Sequence, residues 1–180
     1  MEVIETKIKD LLIIKPKVFA DSRGYFFESY NADVFKQNNI TVNFVQDNQS
    51  LSSTGVLRGL HFQAPPFDQG KLVRVITGAV LDIAVDIRKD SPTYGEHIAI
   101  ELTEENKSMF YIPPGFAHGF LTLRDNTIFS YKCTNVYNKL SEGCVLWNDT
   151  DLNINWNVAN PILSEKDLVG TPFKEFKSPF

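Results

Sequence analysis

Hydrophobic and polar residues alternate with a period of two along most of the chain. Residues 80–88 show the pattern most clearly, with four aliphatic side chains on one face: Leu81, Ile83, Val85 and Ile87. Turn signals rich in Gly, Pro, Asn, Asp and Ser separate such segments at short intervals. Many short strands at this spacing predict an all-β fold, namely a sandwich, a jelly roll or a barrel.

Helical signals are confined to two short segments. Residues 31–39 have the pattern of a short helix with Asn31 as its N-cap. In residues 164–167 a serine is followed three positions later by a carboxylate, which is typical of a capping box. The strand–helix alternation of a parallel sheet is absent, so we expect helices only as small additions to the β fold.

Composition and charge exclude several classes of protein. With 180 residues, 43% hydrophobic and 22% charged, the chain is of ordinary globular composition and can form one domain. A net charge of −4 without any basic run argues against a nucleic-acid partner, but a few local cations still allow a small anionic ligand.

Three further observations concern the compartment. Cys133 and Cys144 form neither a CxxC pair nor a disulfide framework, which favours a reducing environment. No apolar run approaches the roughly 20 residues of a membrane span. No basic-then-apolar signal pattern follows Met1, so we expect a cytoplasmic protein with no membrane partner.

The three histidines are the first candidates for chemistry. His97 follows a turn and is interpreted as a surface residue. His61 and His118 are flanked by apolar residues, and either one alone is explained as a core histidine with a satisfied hydrogen bond. Together they are more informative, because residues 113–118 read Pro-x-Gly-x-x-His and resemble the second motif of the cupin superfamily.

The corresponding first motif lacks most of its metal ligands. Metal-binding cupins carry His-x-His and a later Glu there, whereas this chain reads His61-Phe62-Gln63, and Lys71 follows. A catalytic metal site needs about three protein ligands. We therefore predict no metal at this site, which leaves acid–base chemistry as the favoured interpretation.

Nine segments, in order, resemble the dTDP-4-dehydrorhamnose 3,5-epimerase family (the RmlC family) of the cupin superfamily. They are residues 21–28, 46–50, 55–63, 69–73, 86–93, 112–120, 131–134, 147–149 and 163–167. The resemblance implies a cupin-type jelly roll with a few short helices. It implies a single domain over residues 1–180, with a core at about residues 45–150 on which N-terminal strands and a C-terminal helical segment pack.

The resemblance also implies an activity. The substrate is a dTDP-linked 4-keto-6-deoxy sugar, epimerised at C3 and C5 in dTDP-L-rhamnose biosynthesis by an isomerase without a cofactor. Because the C4 ketone acidifies both neighbouring C–H bonds, the chemistry needs a base, an acid on the other face and a group that stabilises the enolate. Family members are usually homodimers, and we expect residues 23–28 to reach into the neighbour's site.

Four residues take catalytic roles by resemblance: His61 as base, Asp167 as its carboxylate partner, Tyr131 as proton donor and Lys71 beside the enolate or a phosphate oxygen. Sequence alone leaves other interpretations open. Asp167 also fits a helix-capping role, Tyr131 also fits a core tyrosine that shares a face with Phe129 and Cys133, and Lys71 also fits a solvated strand edge.

The remaining predicted contacts to the ligand are carried over from the family pattern: Arg23, Phe26, Glu28, Gln46, Asp47, Asn48, Arg58, His118, Tyr137, Glu142 and Lys166. Arginine forks suit a diphosphate, and a planar aromatic such as Tyr137 suits stacking on thymine. The alternatives are a 3-only or 5-only epimerase, an epimerase of another nucleotide-linked keto sugar, a metal-dependent cupin enzyme and a non-catalytic binding module.

Overall fold

Short antiparallel strands are the main secondary structure of the chain in the computed structural model, which describes all of residues 1–180. The strands are β1 (Glu2–Glu5), β2 (Leu12–Lys15), β3 (Phe19–Asp21), β4 (Gly24–Phe26), β5 (Gln46–Ser52), β6 (Leu57–Gln63), β7 (Lys71–Thr77), β8 (Ala79–Asp86), β9 (His97–Thr103), β10 (Met109–Ile112), β11 (Phe116–Thr122), β12 (Thr127–Cys133) and β13 (Glu142–Cys144). The helices are α1 (Ala32–Gln37), α2 (Glu165–Leu168) and a 3-10 turn (Phe173–Glu175).

Two sheets face each other across the main core. One has the strand order β1-β2-β10-β7-β12-β5, the other the order β13-β6-β11-β8-β9, and β3 and β4 form a separate hairpin. Side chains from both sheets fill the space between them, among them Val73 and Phe129 from the first and Val80 and Phe120 from the second. This arrangement confirms the predicted all-β, cupin-like fold.

Strand β8 is buried on both of its faces. Ile83 and Val85 pack into an outer cluster with Trp156, as the alternation of this segment predicts. The opposite face carries Asp82 and Ala84, and both are fully buried between the sheets. The polar face of β8 therefore points into the barrel rather than into water.

Local capping accounts for both helices. Asn31 caps α1 by accepting hydrogen bonds from the backbone N–H groups of Asp33 and Val34, and Phe35 of that helix packs on the outside of the six-stranded sheet. Ser164 and Asp167 form the predicted capping box at α2. Neither helix approaches the length or hydropathy needed to cross a membrane.

The C-terminal segment packs across the outer face of the five-stranded sheet. Phe176 and Phe180 lie edge-on to Phe62 of β6, with ring centroids 5.4 and 6.1 Å away. A bridge between Val56 and Ile162 aligns the segment with the start of β6. This packing brings α2 beside the middle of β6.

Candidate active site

A cavity of about 330 Å³ opens between the two sheets at one end of the barrel. Ten residues line it: Gln46, Asn48, His61, Phe62, Gln63, Gln69, Lys71, Tyr131, Tyr137 and Glu142. A larger groove of about 940 Å³ lies elsewhere, between β1–β2 and residues 37–42, and contains no histidine or cysteine. The smaller cavity is therefore the one that combines a histidine with a tyrosine, a lysine and a carboxylate.

His61 contacts a carboxylate at the cavity wall. Its Nε2 lies 2.6 Å from Oδ1 of Asp167, and this nitrogen is shielded from solvent with no other polar partner. The His61 side chain is 27% exposed and that of Asp167 only 3%, so the ring borders the cavity while the carboxylate lies behind it. A buried carboxylate in this position orients an imidazole and stabilises its protonated form.

Asp167 is held from several directions at once. Its Oδ2 accepts hydrogen bonds from the hydroxyl of Ser164 at 2.6 Å and from the Ser164 backbone N–H at 3.3 Å, and Oδ1 accepts one from the Gly59 N–H at 3.3 Å. Burial raises the pKa of Asp167, but the contacts with His61, Ser164 and Gly59 outweigh it and leave the pKa at about 2. Helix capping and the contact with His61 are both present in the same side chain.

A β-bulge at Gly59 determines where His61 points. In β6 the partner of His61 is His118 of β11, but the partner of Arg58 is Phe120, so the register shifts between the two positions. Gly59 has a φ of +147°, and a Cβ there would lie 2.5 Å from the Cα of Gly119. Only glycine allows the strands this close approach.

A second histidine–carboxylate pair lies in the next strand. Nε2 of His118 is 3.0 Å from both oxygens of Asp82, and both side chains are buried. Burial lowers the pKa of His118, although the Asp82 carboxylate works in the opposite direction. Because His118 and His61 are register partners, the two imidazoles are neighbours on the same face of the sheet.

The facing sheet supplies a phenol and an amine. Tyr131 lies on β12 and packs against the central core, and burial is the main cause that raises its pKa. Lys71 begins β7, and burial lowers the pKa of its ammonium, with only partial opposition from Cys133 and nearby carboxylates. A desolvated cation of this kind favours a negative charge placed beside it.

A polar cluster lies at the mouth of the cavity. The Tyr137 hydroxyl donates a 3.1 Å hydrogen bond to Glu142, and Glu142 forms an ion pair with Lys166 of α2. The side-chain oxygen of Gln46 accepts the backbone N–H of Tyr137 at 2.9 Å, and Gln46 in turn donates to Asn48 at 3.1 Å. The cluster leaves the Tyr137 ring exposed at the entrance.

Seven predicted ligand contacts do not line this cavity, and two of them, His118 and Lys166, lie next to it in the pairs with Asp82 and Glu142 described above. Arg23 and Phe26 lie on the exposed β3–β4 hairpin, where Arg23 pairs with Asp21 of its own chain at 2.6 Å, and Glu28 accepts from Asn31 at 3.0 Å.

The other two lie on barrel strands. Asp47 points to the opposite face of β5 from Gln46 and Asn48, where it pairs with Lys132 at 3.0 Å. Arg58 donates to Ser52 at 3.2 Å, and its charge still lowers the pKa of Tyr131.

Besides Phe62, Gln63 and Gln69, which line the cavity, the structure places two further titratable side chains next to the predicted histidines. Asp82 is the carboxylate partner of His118, and its place on the polar face of residues 80–88 is a signal that could have found it. Cys144 of β13 is the register partner of His61 on the other side from His118. Nothing local marks Cys144, because its position depends on the pairing of β13 with β6.

Comparisons with known proteins agree on one family. The family model described as dTDP-4-dehydrorhamnose 3,5-epimerase matches residues 5–175. The dTDP-4-dehydrorhamnose 3,5-epimerase of Shigella flexneri is 53% identical over 174 residues, which are 96% of this chain and 96% of that protein.

Solved structures agree as well. The crystal structure of dTDP-4-dehydrorhamnose 3,5-epimerase from Elizabethkingia anophelis NUHP1 is 51% identical with a TM-score of 0.91, covering 97% of each chain. A dTDP-6-deoxy-D-glucose-3,5-epimerase from Legionella pneumophila Philadelphia 1, solved in complex with dTDP-4-keto-L-rhamnose, is 45% identical with a TM-score of 0.94. It covers 98% of this chain and 94% of its own.

Proposed function

The chain belongs to the dTDP-4-dehydrorhamnose 3,5-epimerase family, and from this premise we propose that it epimerises C3 and C5 of dTDP-4-dehydro-6-deoxy-D-glucose to give dTDP-4-dehydro-L-rhamnose. One observation carries the proposal. His61 with its carboxylate and the Tyr131 hydroxyl line the same cavity from two facing sheets. A sugar ring between them has a base on one face and an acid on the other, which inversion of a carbon centre requires.

The proton transfers follow from this placement. His61 removes the proton next to the C4 ketone, and Asp167 stabilises the imidazolium that forms. The electron pair moves to the C4 oxygen, and the Lys71 ammonium lies on the cavity wall where it stabilises an enolate. Tyr131, a phenol whose pKa is raised by burial, is protonated at neutral pH and returns a proton on the opposite face.

The mouth of the cavity suits the nucleotide. Tyr137 presents an exposed ring for stacking on thymine. Lys166 at the mouth supplies positive charge for the diphosphate, and Arg58, whose charge reaches Tyr131 from outside the lining, supplies a second cation. Glu142, Gln46 and Asn48 offer polar contacts. The buried His118–Asp82 pair supports the ring of His61 from the neighbouring strand.

The test of this function is exchange in D2O with dTDP-4-keto-6-deoxyglucose. Wild-type protein should incorporate deuterium at both C3 and C5 and release the epimerised product. His61→Ala should lose exchange and product together, by on the order of 10²–10⁴-fold. Tyr131→Phe should still exchange with retained configuration, because the base remains, while the epimerised product falls sharply.

Two control variants make the same substitutions outside the cavity, one matched to His61→Ala and the other to Tyr131→Phe. His97→Ala changes a histidine outside the cavity. Tyr111→Phe removes the hydroxyl of a buried tyrosine on the outer side of the six-stranded sheet, to which Tyr131 also belongs. Both should keep full activity. Deuterium at only one carbon would instead indicate a 3-only or 5-only epimerase, and equal loss of exchange in Tyr131→Phe and His61→Ala would contradict the two-face assignment.

We also propose a homodimer in which the β3–β4 hairpin completes the neighbour's site. The hairpin belongs to neither barrel sheet and exposes three aromatic side chains, Phe19, Tyr25 and Phe26. Strand β5, next to the cavity, is the edge of its sheet and has one side open for pairing. These two features support an exchange of hairpins that brings Arg23 to the partner's diphosphate.

Mixing two inactive variants tests the exchange. If Arg23 acts in the partner, Arg23→Ala mixed with His61→Ala should recover up to about a quarter of the sites, since each mixed dimer holds one intact site. No recovery, or a monomeric mass by light scattering with full activity, would contradict the dimer.

The unpaired cysteines Cys133 and Cys144 support a cytoplasmic setting, which cell fractionation checks.

A further inference from the structure

A cysteine next to His61 turns the catalytic pair into a three-ligand cluster. A ring nitrogen of His61, the Sγ of Cys144 and a carboxylate oxygen of Asp167 all lie within 4.8 Å of one another. Cys144 is the direct cross-strand partner of His61, so the two side chains emerge on the same face of the sheet. Asp167 reaches the same point from α2, behind the ring.

The three donors match the coordination chemistry of zinc. Imidazole nitrogen, thiolate sulfur and carboxylate oxygen are the ligands found in Zn²⁺ sites, and the sulfur disfavours Mg²⁺ and Ca²⁺. A tetrahedral zinc ion keeps such donors about 3.3–3.8 Å apart. Since Nε2 and Oδ1 are now 2.6 Å apart, the ring and carboxylate need to separate by only about 1 Å to admit the ion.

The surroundings hold the ligands in place. Ser164 binds Oδ2 of Asp167 through its hydroxyl and its backbone N–H, which leaves Oδ1 facing His61. His61 Nε2 is shielded from solvent and has no polar partner besides that carboxylate. The His61 ring lies between this cluster and the cavity, so an ion bound to the three donors sits behind the ring and acts on the space proposed for the sugar through that ring.

We propose that His61, Cys144 and Asp167 form an inhibitory site for Zn²⁺ or another thiophilic divalent cation. Binding releases the thiol proton of Cys144 to solvent and occupies the lone pair of His61 Nε2. The single proton of the neutral ring then resides on Nδ1, so the imidazole has no lone pair left to accept a proton from the substrate. The ion is thus an inhibitor that competes with catalysis and not a resident cofactor. Only the inhibition step rests on the proposed function, because the coordination of zinc is independent of the reaction.

The binding test uses Co²⁺ as a spectroscopic probe on full-length protein freed of metals with a chelator that is then removed. Wild-type protein should bind one Co²⁺ with a thiolate-to-cobalt charge-transfer band, and Zn²⁺ should displace it. Cys144→Ser should lose the band. Cys133→Ser, which changes the other thiol, should keep it.

The inhibition test measures epimerisation during a Zn²⁺ titration. Cys144→Ser should show the basal activity of the wild type and need at least about tenfold more Zn²⁺ for half-inhibition. Equal sensitivity of Cys144→Ser and wild type, or absence of the cobalt–thiolate band in wild type, would overturn the proposal. If the chain showed the band but no epimerase activity, the proposed function would fail while the metal site stood.

Discussion

A buried carboxylate at the end of β8 offers a quantitative test of how this fold is held together. Asp86 is fully buried and accepts side-chain hydrogen bonds of 2.6–2.9 Å from Arg88, Ser91 and Thr93. Arg88 also pairs with Asp10 at 2.9 Å, which ties the network to the loop between β1 and β2. We predict that Asp86→Asn destabilises the protein strongly and in a pH-dependent way.

The magnitude follows from the pKa. Burial alone raises the pKa of Asp86, but the hydrogen bonds from Arg88, Ser91 and Thr93 outweigh it and bring the pKa from 3.8 to about 2. At about 1.36 kcal/mol per pKa unit, this difference corresponds to about 2 kcal/mol of unfolding free energy. Asp86→Asn should cost about 2–4 kcal/mol at pH 7, because the Arg88 guanidinium also loses a buried counter-charge.

The sign of the pH dependence is fixed by the direction of the shift. The pKa of Asp86 is lower in the folded protein than in the unfolded chain. Its contribution to the free energy of unfolding is therefore complete above about pH 4 and is lost as the pH falls through about 2. Urea unfolding followed by circular dichroism between pH 7 and pH 2.5 should therefore show the gap between wild type and Asp86→Asn closing only at the acid end.

An exposed carboxylate provides the control. Glu105 pairs with Arg124 at 2.6 Å and its pKa is also lowered to about 2, chiefly by that hydrogen bond, but the pair lies in solvent. Glu105→Gln should change stability little, since exposed ion pairs are screened. If Asp86→Asn lost no more stability than Glu105→Gln, or if its deficit were the same at pH 7 and pH 2.5, the reasoning would be refuted.

Three further variants probe the site. Asp167→Asn should lower kcat by on the order of 10²–10⁴-fold in steady-state assays, because His61 loses its charged partner; unchanged kcat would contradict that role. Lys71→Met should abolish most exchange in D2O while the melting temperature holds or rises, since a partly buried and unpaired charge is removed. Full activity of this variant would exclude enolate stabilisation by Lys71. Gly59→Ala should lower the melting temperature, because the new Cβ would collide with the backbone of Gly119. An unchanged melting temperature would show that β6 and β11 can move apart without cost.

Local patterns predicted the local structure well. The alternation in residues 127–133 places Phe129 and Tyr131 in the core between the sheets, as the period of two requires. Asn31 and the box that ends at Asp167 cap the two helices, because capping depends only on residues within one turn. The segments that resemble the family contain eight of the ten cavity-lining residues, including His61.

Features that depend on pairing between distant strands were beyond the sequence. The bulge at Gly59 breaks the period of two in β6, so simple alternation does not place Arg58 and His61 relative to each other. Cys144 is a register partner of His61 only because β13 joins the edge of the sheet. The sequence pattern places Asp82 on the polar face of an amphipathic strand, which predicts exposure to solvent. Asp82 is buried because the six-stranded sheet packs over that face.

The route by which Asp167 reaches His61 makes activity depend on a separate structural unit. The barrel strands end at β13, whereas Asp167 belongs to the segment that packs on the outside of β6. Such a segment can detach while the hydrogen-bonded sheets stay intact, since local opening costs less free energy than global unfolding. The enzyme should then lose turnover at a denaturant concentration where the sheets still protect their amides from hydrogen exchange. The half-life of the activity would then report how long the C-terminal segment stays packed on β6. Stabilising mutations in the barrel core would leave the half-life of the activity unchanged.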